Sequence, residues 1–274
     1  MYYAFDFTVS GDKRDLLNAL LLDIFEAFEF TDAGFSGYLA PDADLAQVEE
    51  KIAGLRRTVF FEYSIRRIRQ ANWNAEWESR FHPVAVSDFC RVRAAFHEPA
   101  SGFAHEVIIN PRMAFGTGHH ETTHLMIQAM DYLPVTGRLW DFGTGTGILA
   151  ILARKMGAPP GIIANDIDPQ AIANARDNAA ANDTNGIQWR VGGMEIVPEK
   201  GFHLILANIN RNVILSHIEP LFDKLIPGGR VLFSGILQQD YPLVRDKCLQ
   251  TGLREVLYLE LNHWVCTCFQ RREN

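Results

Sequence analysis

The segment Leu139-Trp140-Asp141-Phe142-Gly143-Thr144-Gly145-Thr146-Gly147-Ile148 runs from a buried strand through three glycines into a helix. Glycines at such a junction let backbone come close to a ligand, and the helix start points free N–H groups at it. The dinucleotide fingerprint needs glycine at its first, third and sixth positions. Counting from Gly143, the sixth position is Ile148, so that fingerprint fails. No Lys-Ser or Lys-Thr follows, which excludes a P-loop. The pattern left is Asp-x-Gly-x-Gly-x-Gly. An acidic pair, Asp166 and Asp168, stands at the end of the next apolar run. A carboxylate placed there can accept hydrogen bonds from both ribose hydroxyls. The plainer alternative is a tight strand-to-helix turn with Asp141 as a helix cap.

Around this turn, strands and helices alternate. Strands are expected at 107–109, 138–142, 162–166, 187–191, 202–208 and 230–236, with helices near 124–133, 148–156, 169–182, 213–225 and 241–249. Alternation of this kind gives a parallel sheet covered by helices on both faces. The last two strands, 255–261 and 264–269, are joined only by Asn262-His263, which predicts an antiparallel hairpin.

The N-terminal part reads differently. Tyr3 to Val9 alternates as a strand. A helix capped by Asp12 runs to Phe28 on an apolar stripe. A strand at 34–39, a helix over Leu45 to Leu55 opened by Pro41-Asp42 and a strand at 59–63 follow. The result is a small α+β unit over residues 1–70. Trp73 and Trp77 fall at helical spacing in a connecting helix, 71–88, and the larger domain takes 89–274. Arg66, Arg67 and Arg69 read as a solvated basic face.

Among 274 residues, 47% are apolar and 22% charged, as in a soluble globular protein. The net charge of −7 argues against general nucleic-acid binding and suits a basic protein partner. Cys90, Cys248, Cys266 and Cys268 form no Cys-x-x-Cys pair, and reduced thiols in the cytoplasm fit them best. The N-terminus reads as no signal peptide, and no apolar run reaches membrane-spanning length.

Asp141-Phe-Gly143-Thr-Gly145-Thr-Gly147 and Asn165-Asp166-Ile-Asp168 resemble the first two motifs of the seven-strand methyltransferases that use S-adenosylmethionine. Met113-Ala-Phe115-Gly-Thr-Gly-His-His120-Glu-Thr-Thr123 is more specific. It resembles a loop of the family that methylates large-subunit ribosomal protein eleven, as do Ala207-Asn208-Ile209 and Ser234-Gly235-Ile236-Leu237. The resemblance spans nearly the whole chain. It implies a Rossmann-like seven-strand sheet with a C-terminal hairpin, and a ferredoxin-like N-terminal domain that recognises the substrate. It also implies S-adenosylmethionine as cofactor, contacted by Thr123, Gly143, Asp166 and Asn208, and methyl transfer to lysine side chains and the N-terminal α-amine of the ribosomal protein. Many amine methyltransferases have Pro-Pro-Tyr after the residue matching Asn208. Here Ile209, Asn210 and Arg211 follow, so no ring is present to stack on a planar acceptor, and a flexible aliphatic amine fits better. Another protein or a small amine is the alternative substrate. No residue stands out as general base, although His119, His120 and Glu121 offer proton-carrying groups.

His120-Glu121-Thr122-Thr123-His124 also spells the His-Glu-x-x-His of zinc proteases. On a helix, the two histidines would bind zinc and the glutamate would serve as base. Position 127 is Ile, so the extended form of that motif is absent. His217 and His263 are isolated and read as structural.

Overall fold

The computed structural model describes all residues except 1, 11–12, 14–16, 18–19, 22–23, 26, 32–33, 40–42, 57, 69–81, 111–119 and 274. The chain divides into two compact units, Met1–Arg80 and Phe81–Asn274. The expected tryptophan helix and the glycine-rich part of the 113–123 loop lie outside the described residues.

In the first unit, strands β1 (Tyr2–Thr8), β2 (Ala27–Thr31), β3 (Gly34–Leu39) and β4 (Glu62–Ile68) form an antiparallel sheet in the order 2-3-1-4. Helix α1 (Leu45–Leu55) lies between β3 and β4. Tyr3, Phe5 and Phe7 alternate inward along β1. Phe5 and Phe7 pack with Leu17, Leu21, Phe25, Phe35 and Ile52. Two expectations need correction. Phe28 sits in β2, not on the helical stripe, and pairs with Gly37 of β3. Helix α1 has the expected bounds, and Asp44 caps it, its carboxylate accepting from Ala46 and Gln47 N–H, while Pro41-Asp42 lies outside the described residues. The last strand begins at Glu62, so Val59 and Phe61 enter the core from the loop before it.

The second unit centres on a seven-stranded sheet. Its strands are β8 (Leu139–Phe142), β9 (Ile162–Asp166), β10 (Ile187–Val191), β11 (Phe202–Asn208), β12 (Leu225–Leu237), β13 (Leu253–Leu261) and β14 (Trp264–Arg271). Spatially they run β10-β9-β8-β11-β12-β14-β13, with β14 antiparallel to both neighbours. One face meets α2 (Glu121–Asp131), α3 (Ile148–Lys155) and α4 (Pro169–Ala181). The other meets α5 (Arg211–Lys224) and α6 (Tyr241–Gln250). Residues alternate between the layers: Leu204 and Leu206 face the first, Ile205 and Ala207 the second. This two-sided burial explains the nearly continuous apolar runs.

Leu261 and Trp264 pair across the expected hairpin, and both Asn262 and His263 have positive φ, as a two-residue turn requires. Strand β12 starts at Leu225, earlier than Arg230, because its pairing with β11 jumps between Phe202 and Leu204 and absorbs Pro227-Gly228-Gly229 as an irregularity. Two short strands went unanticipated: β5 (Val84–Val86) and β6 (Cys90–Arg93) join β7 (His105–Ile108) in a small sheet. All four cysteines are buried free thiols, and burial raises their pKa values, so they act as packing groups. No helix among the described residues is long and apolar enough to cross a membrane.

Candidate functional site

The order of the sheet reverses at β8. From this strand the chain builds outward through β9 and β10 on one side, and later through β11 and β12 on the other. Ligands bind outside the carboxyl ends of strands at such a switch point. Gly143 follows β8, Asp166 ends β9 and Asn208 ends β11, so three of the four residues named from sequence stand along one edge of the sheet.

The glycine turn is fastened to β9. Gly143 and Thr144 N–H both donate to the Asn165 carbonyl at 2.9 Å. Gly145 N–H donates to Asp166 Oδ2 at 2.9 Å, and Asp168 N–H to Asp166 Oδ1 at 3.0 Å. Asp166 thus has one lone pair committed on each oxygen and further acceptor capacity on both. Asp168 plays a different part: its carboxylate accepts from Gln170 N–H and caps α4. Ile167, between the two acids, is 78% exposed, a large apolar side chain beside the carboxylate.

Asn165 went unremarked in the sequence apart from its place in the motif, yet it organises this corner. It is buried. Its Oδ1 accepts from Trp140 Nε1 at 2.6 Å, and its Nδ2 donates to the Gly192 carbonyl at 2.8 Å. One side chain therefore ties β8 to the turn after β10, while its backbone carbonyl holds the glycine turn. An amide flanked by apolar residues and followed by an acid is the signal that was available.

Asp141 is buried and serves the turn. Its Oδ2 accepts from Thr144 Oγ1 at 2.5 Å and from Ala150 N–H, in the first turn of α3, at 3.2 Å. Gly147, at the cap position of α3, offers no side chain, so Asp141 does the capping from the preceding strand. Its Oδ1 is buried without a partner among the described residues. Burial pushes this carboxyl up to about 7, against the two hydrogen bonds, and the nearby Asp166 charge adds to the rise. An unfolded aspartate titrates near ~3.9. Between these values the folded chain keeps a proton that the unfolded chain releases. This group therefore costs stability progressively as pH rises from about 4 to about 7, and no more beyond, with a ceiling of about 4 kcal/mol. Asp141→Asn keeps an acceptor and does not titrate. Between about pH 5 and pH 8 its melting temperature should drop less than that of the unmodified protein. Identical slopes in scanning calorimetry would exclude Asp141 as their source.

On the other side, Thr123 and Asn208 meet across 85 residues of chain: Asn208 Nδ2 donates to Thr123 Oγ1 at 3.3 Å. Thr123 is fully buried in the first turn of α2. Asn208 Oδ1 is buried and, among the described residues, has no partner. The Asn208-Ile209 step is gripped by two glycines. A Cβ on Gly143 would stand 2.4 Å from Ile209 Cγ2, and one on Gly235 would stand 2.1 Å from the Ile209 carbonyl oxygen. Gly143 therefore makes room for Ile209, in addition to the close approach to a ligand read from the sequence. Ile209 N–H donates to the Ser234 carbonyl, which completes the link to β12.

The groups required by the zinc reading are engaged otherwise. His120 precedes α2 as its N-cap, with Nδ1 accepting from Thr122 N–H, and Glu121 Oε1 accepts from Asn262 Nδ2 at 3.3 Å. Among the described residues, no three His, Cys, Asp or Glu side chains converge as metal ligands. His217 lies against the Phe142 ring, 5.5 Å between centroids.

Comparison with known proteins agrees with this geometry. The profile described as ribosomal protein L11 methyltransferase (PrmA) matches residues 26–272. The chain is 38% identical to the ribosomal protein L11 methyltransferase of Porphyromonas gingivalis, over 97% of this chain and 96% of that one. It is 35% identical to the protein of that name from Chlorobaculum parvum, over 94% and 93%. The crystal structure of the ribosomal protein L11 methylase from Lactobacillus delbrueckii subsp. bulgaricus superposes with a TM-score of 0.65 at 28% identity, covering 70% of this chain and all of that one. With the switch-point site, the strand order and near full-length similarity in agreement, this chain belongs to the ribosomal protein L11 methyltransferase family.

Proposed function

We propose that this protein transfers methyl groups from S-adenosylmethionine to amine nitrogens, lysine side chains and the N-terminal α-amine, of large-subunit ribosomal protein L11. The observation that carries the reading is the Asn208–Thr123 pair, which leaves a buried, unpartnered Asn208 Oδ1 at the sheet edge that also holds Asp166. The residues present fit the cofactor. Asp166 has acceptor capacity for a diol, Ile167 is an exposed apolar side chain next to it, and Asn208 Oδ1, unpartnered among the described residues, suits a ligand N–H donor. When bound, S-adenosylmethionine supplies a methyl group already activated on a sulfonium.

What is left to the chain is alignment and the exclusion of water. Asp166 and Gly143 set one end of the site, and Thr123 and Asn208 the other. Asn208 Oδ1 can accept an N–H of the incoming amine and aim its lone pair. The amine must be neutral to attack. For a lysine of pKa near ~10.4, deprotonation at neutral pH costs roughly 4.6 kcal/mol. Burial lowers that cost without a strong base, consistent with a site to which no general base is assigned. The residues after Asn208 carry no aromatic ring, which favours a flexible amine over a planar one.

The N-terminal α+β unit would recognise the ribosomal protein, and the chain's net charge of −7 would attract a basic partner. A cytoplasmic location suits four free buried thiols and that partner. Mass spectrometry of purified ribosomal protein L11 incubated with the enzyme and S-adenosylmethionine should show added methyl groups on lysines and the α-amine. Methylation of unrelated proteins or free lysine alone would point to a different substrate. Asn208→Ala should lower turnover by about 100-fold and weaken cofactor binding by about tenfold or less. Unchanged turnover and affinity would remove Asn208 from the site.

A further inference from the structure

We infer that the cleft between α6 and β13, lined by Tyr241, Pro242, Arg245, Glu255 and Tyr258, receives an arginine side chain of the protein being methylated. The inference rests on the reading of this chain as a protein methyltransferase, and goes beyond it by placing a substrate contact outside the cofactor site.

A bulge in the edge strand builds the cleft, which holds about 460 Å³. Between Glu255 and Leu257 the pairing of β13 with β14 skips a residue. Glu255 and Tyr258 then oppose Phe269 and Thr267, and Glu260 opposes Val265, so all three project from the face that carries α6. A regular strand would send Glu255 and Tyr258 to opposite faces. Glu255 Oε1 accepts from the Tyr241 hydroxyl at 2.7 Å and from Thr267 Oγ1 at 2.6 Å. Glu260 Oε2 accepts from the Tyr258 hydroxyl at 2.7 Å and from Gln238 Nε2 at 3.0 Å. The two carboxylates are thereby linked through the tyrosine rings, whose centroids are 4.8 Å apart. Each carboxylate commits one oxygen to the protein. Among the described residues, Glu255 Oε2 and Glu260 Oε1 accept no hydrogen bond.

Tyrosine faces beside open carboxylate oxygens suit a planar cation. A guanidinium stacks on the ring and donates from its edge, whereas an ammonium is a strongly hydrated point charge. Arg245 already leans on the cleft, with Nε 3.6 Å from Glu255 Oε2 and Nη1 3.6 Å from Asp246 Oδ1. Both distances are too long for hydrogen bonds, so Arg245 approaches the open oxygen without occupying it. Tyr258 is exposed, as are Leu243 and Val256, which leaves apolar surface for the rest of a bound segment. The position also suits a substrate. Asp240, the residue before Tyr241, is held at 2.7 Å by Arg211, three residues after Asn208. Gln238, which holds Glu260, follows the strand β12 whose Gly235 grips Ile209. The cleft is therefore tied to both loops that flank Asn208, and the net charge of −7 draws basic segments toward the chain.

The experiment combines steady-state methylation of purified ribosomal protein L11 with calorimetric binding of two short peptides, one alternating arginine with glycine and one alternating lysine with glycine. Glu255→Gln keeps an acceptor for Tyr241 and Thr267 and removes the charge. It should raise KM for the protein substrate by about tenfold. Tyr258→Ala should raise KM by about fivefold, and Tyr258→Phe, which keeps the ring, by about twofold or less. Arg245→Ala removes the competing guanidinium and should lower KM by about threefold, which loss of a structural ion pair would not do. Glu219→Gln removes the same charge from an exposed position on α5 outside the cleft and should change KM by less than about twofold. The arginine peptide should bind the unmodified protein about tenfold tighter than the lysine peptide and lose that advantage in Glu255→Gln. The inference is overturned if Glu255→Gln and Tyr258→Ala leave KM within about twofold, or if Arg245→Ala raises it. It is equally overturned if Glu219→Gln matches Glu255→Gln, which would leave only long-range charge, or if the two peptides bind alike. Failure of the substrate reading would appear separately, as no methylation of ribosomal protein L11 by the unmodified protein, and the peptide comparison would still decide the cleft.

Discussion

Asp166→Ala is expected to weaken S-adenosylmethionine binding by about 100-fold in titration calorimetry. The carboxylate ends β9 with one lone pair of each oxygen spent on backbone, on Gly145 and Asp168 N–H. These two bonds fix its plane and leave the remaining capacity for a diol. Hydrogen bonds to a charged group contribute about 1.5–3 kcal/mol each, so losing two bonds, partly offset by water entering the gap, gives about 3 kcal/mol. The substitution also frees the Gly145 N–H and with it the glycine turn. Asp166→Asn, which keeps one acceptor, should lose about tenfold. Asp168→Ala is the control from the same acidic pair. It removes a helix cap, costs about 1 kcal/mol of stability and should leave affinity nearly unchanged. If Asp166→Ala binds within about threefold of the unmodified protein, Asp166 does not hold the ribose.

Gly235→Ala should abolish most activity by displacing Asn208 from a distance. Gly235 has φ of +84°, and an added Cβ would lie 2.1 Å from the Ile209 carbonyl oxygen. The left-handed conformation alone costs roughly 1–2 kcal/mol for alanine. The contact costs more, because a backbone oxygen cannot rotate aside as a side chain can. Ile209 is hemmed on its other side by Gly143, so relief must come by moving the Asn208-Ile209 step itself. Turnover should fall by more than about 100-fold, since small misplacement of an aligning group is costly. The melting temperature should drop by about 6–12 °C. Gly102→Ala separates the two contributions: its φ is +96° and nothing lies within 4 Å, so it bears only the conformational cost. Equal destabilisation by both substitutions would mean that the approach to Ile209 does not hold the site together.

Much of the larger domain was legible because its apolar runs are long and punctuated by glycine, proline and asparagine. The glycine turn, the acid ending the second strand of the sheet and the Asn262-His263 hairpin are local patterns, and local backbone requirements dictate residue type there. Errors fell where two periods compete or where strands are short. Phe28 continues a helical spacing and also alternates with Phe30, and only pairing with β3 decides for the strand. Strands β5 and β6 are too short to register a period.

The sequence by itself determined the class of sheet and the position of the turn, since these depend on which conformations individual residues tolerate. Only the tertiary structure decided who partners whom. Asn165 became the hub of one corner, Asp141 took Thr144 and Ala150 as its partners, and Ile209 was lodged between two distant glycines. Thr123 met Asn208, and His120 turned from a possible zinc ligand into the start of a helix. The physical reason is the same in each case. A polar side chain's role is set by which backbone donors and acceptors packing leaves unsatisfied around it, and that inventory exists only once the layers have closed.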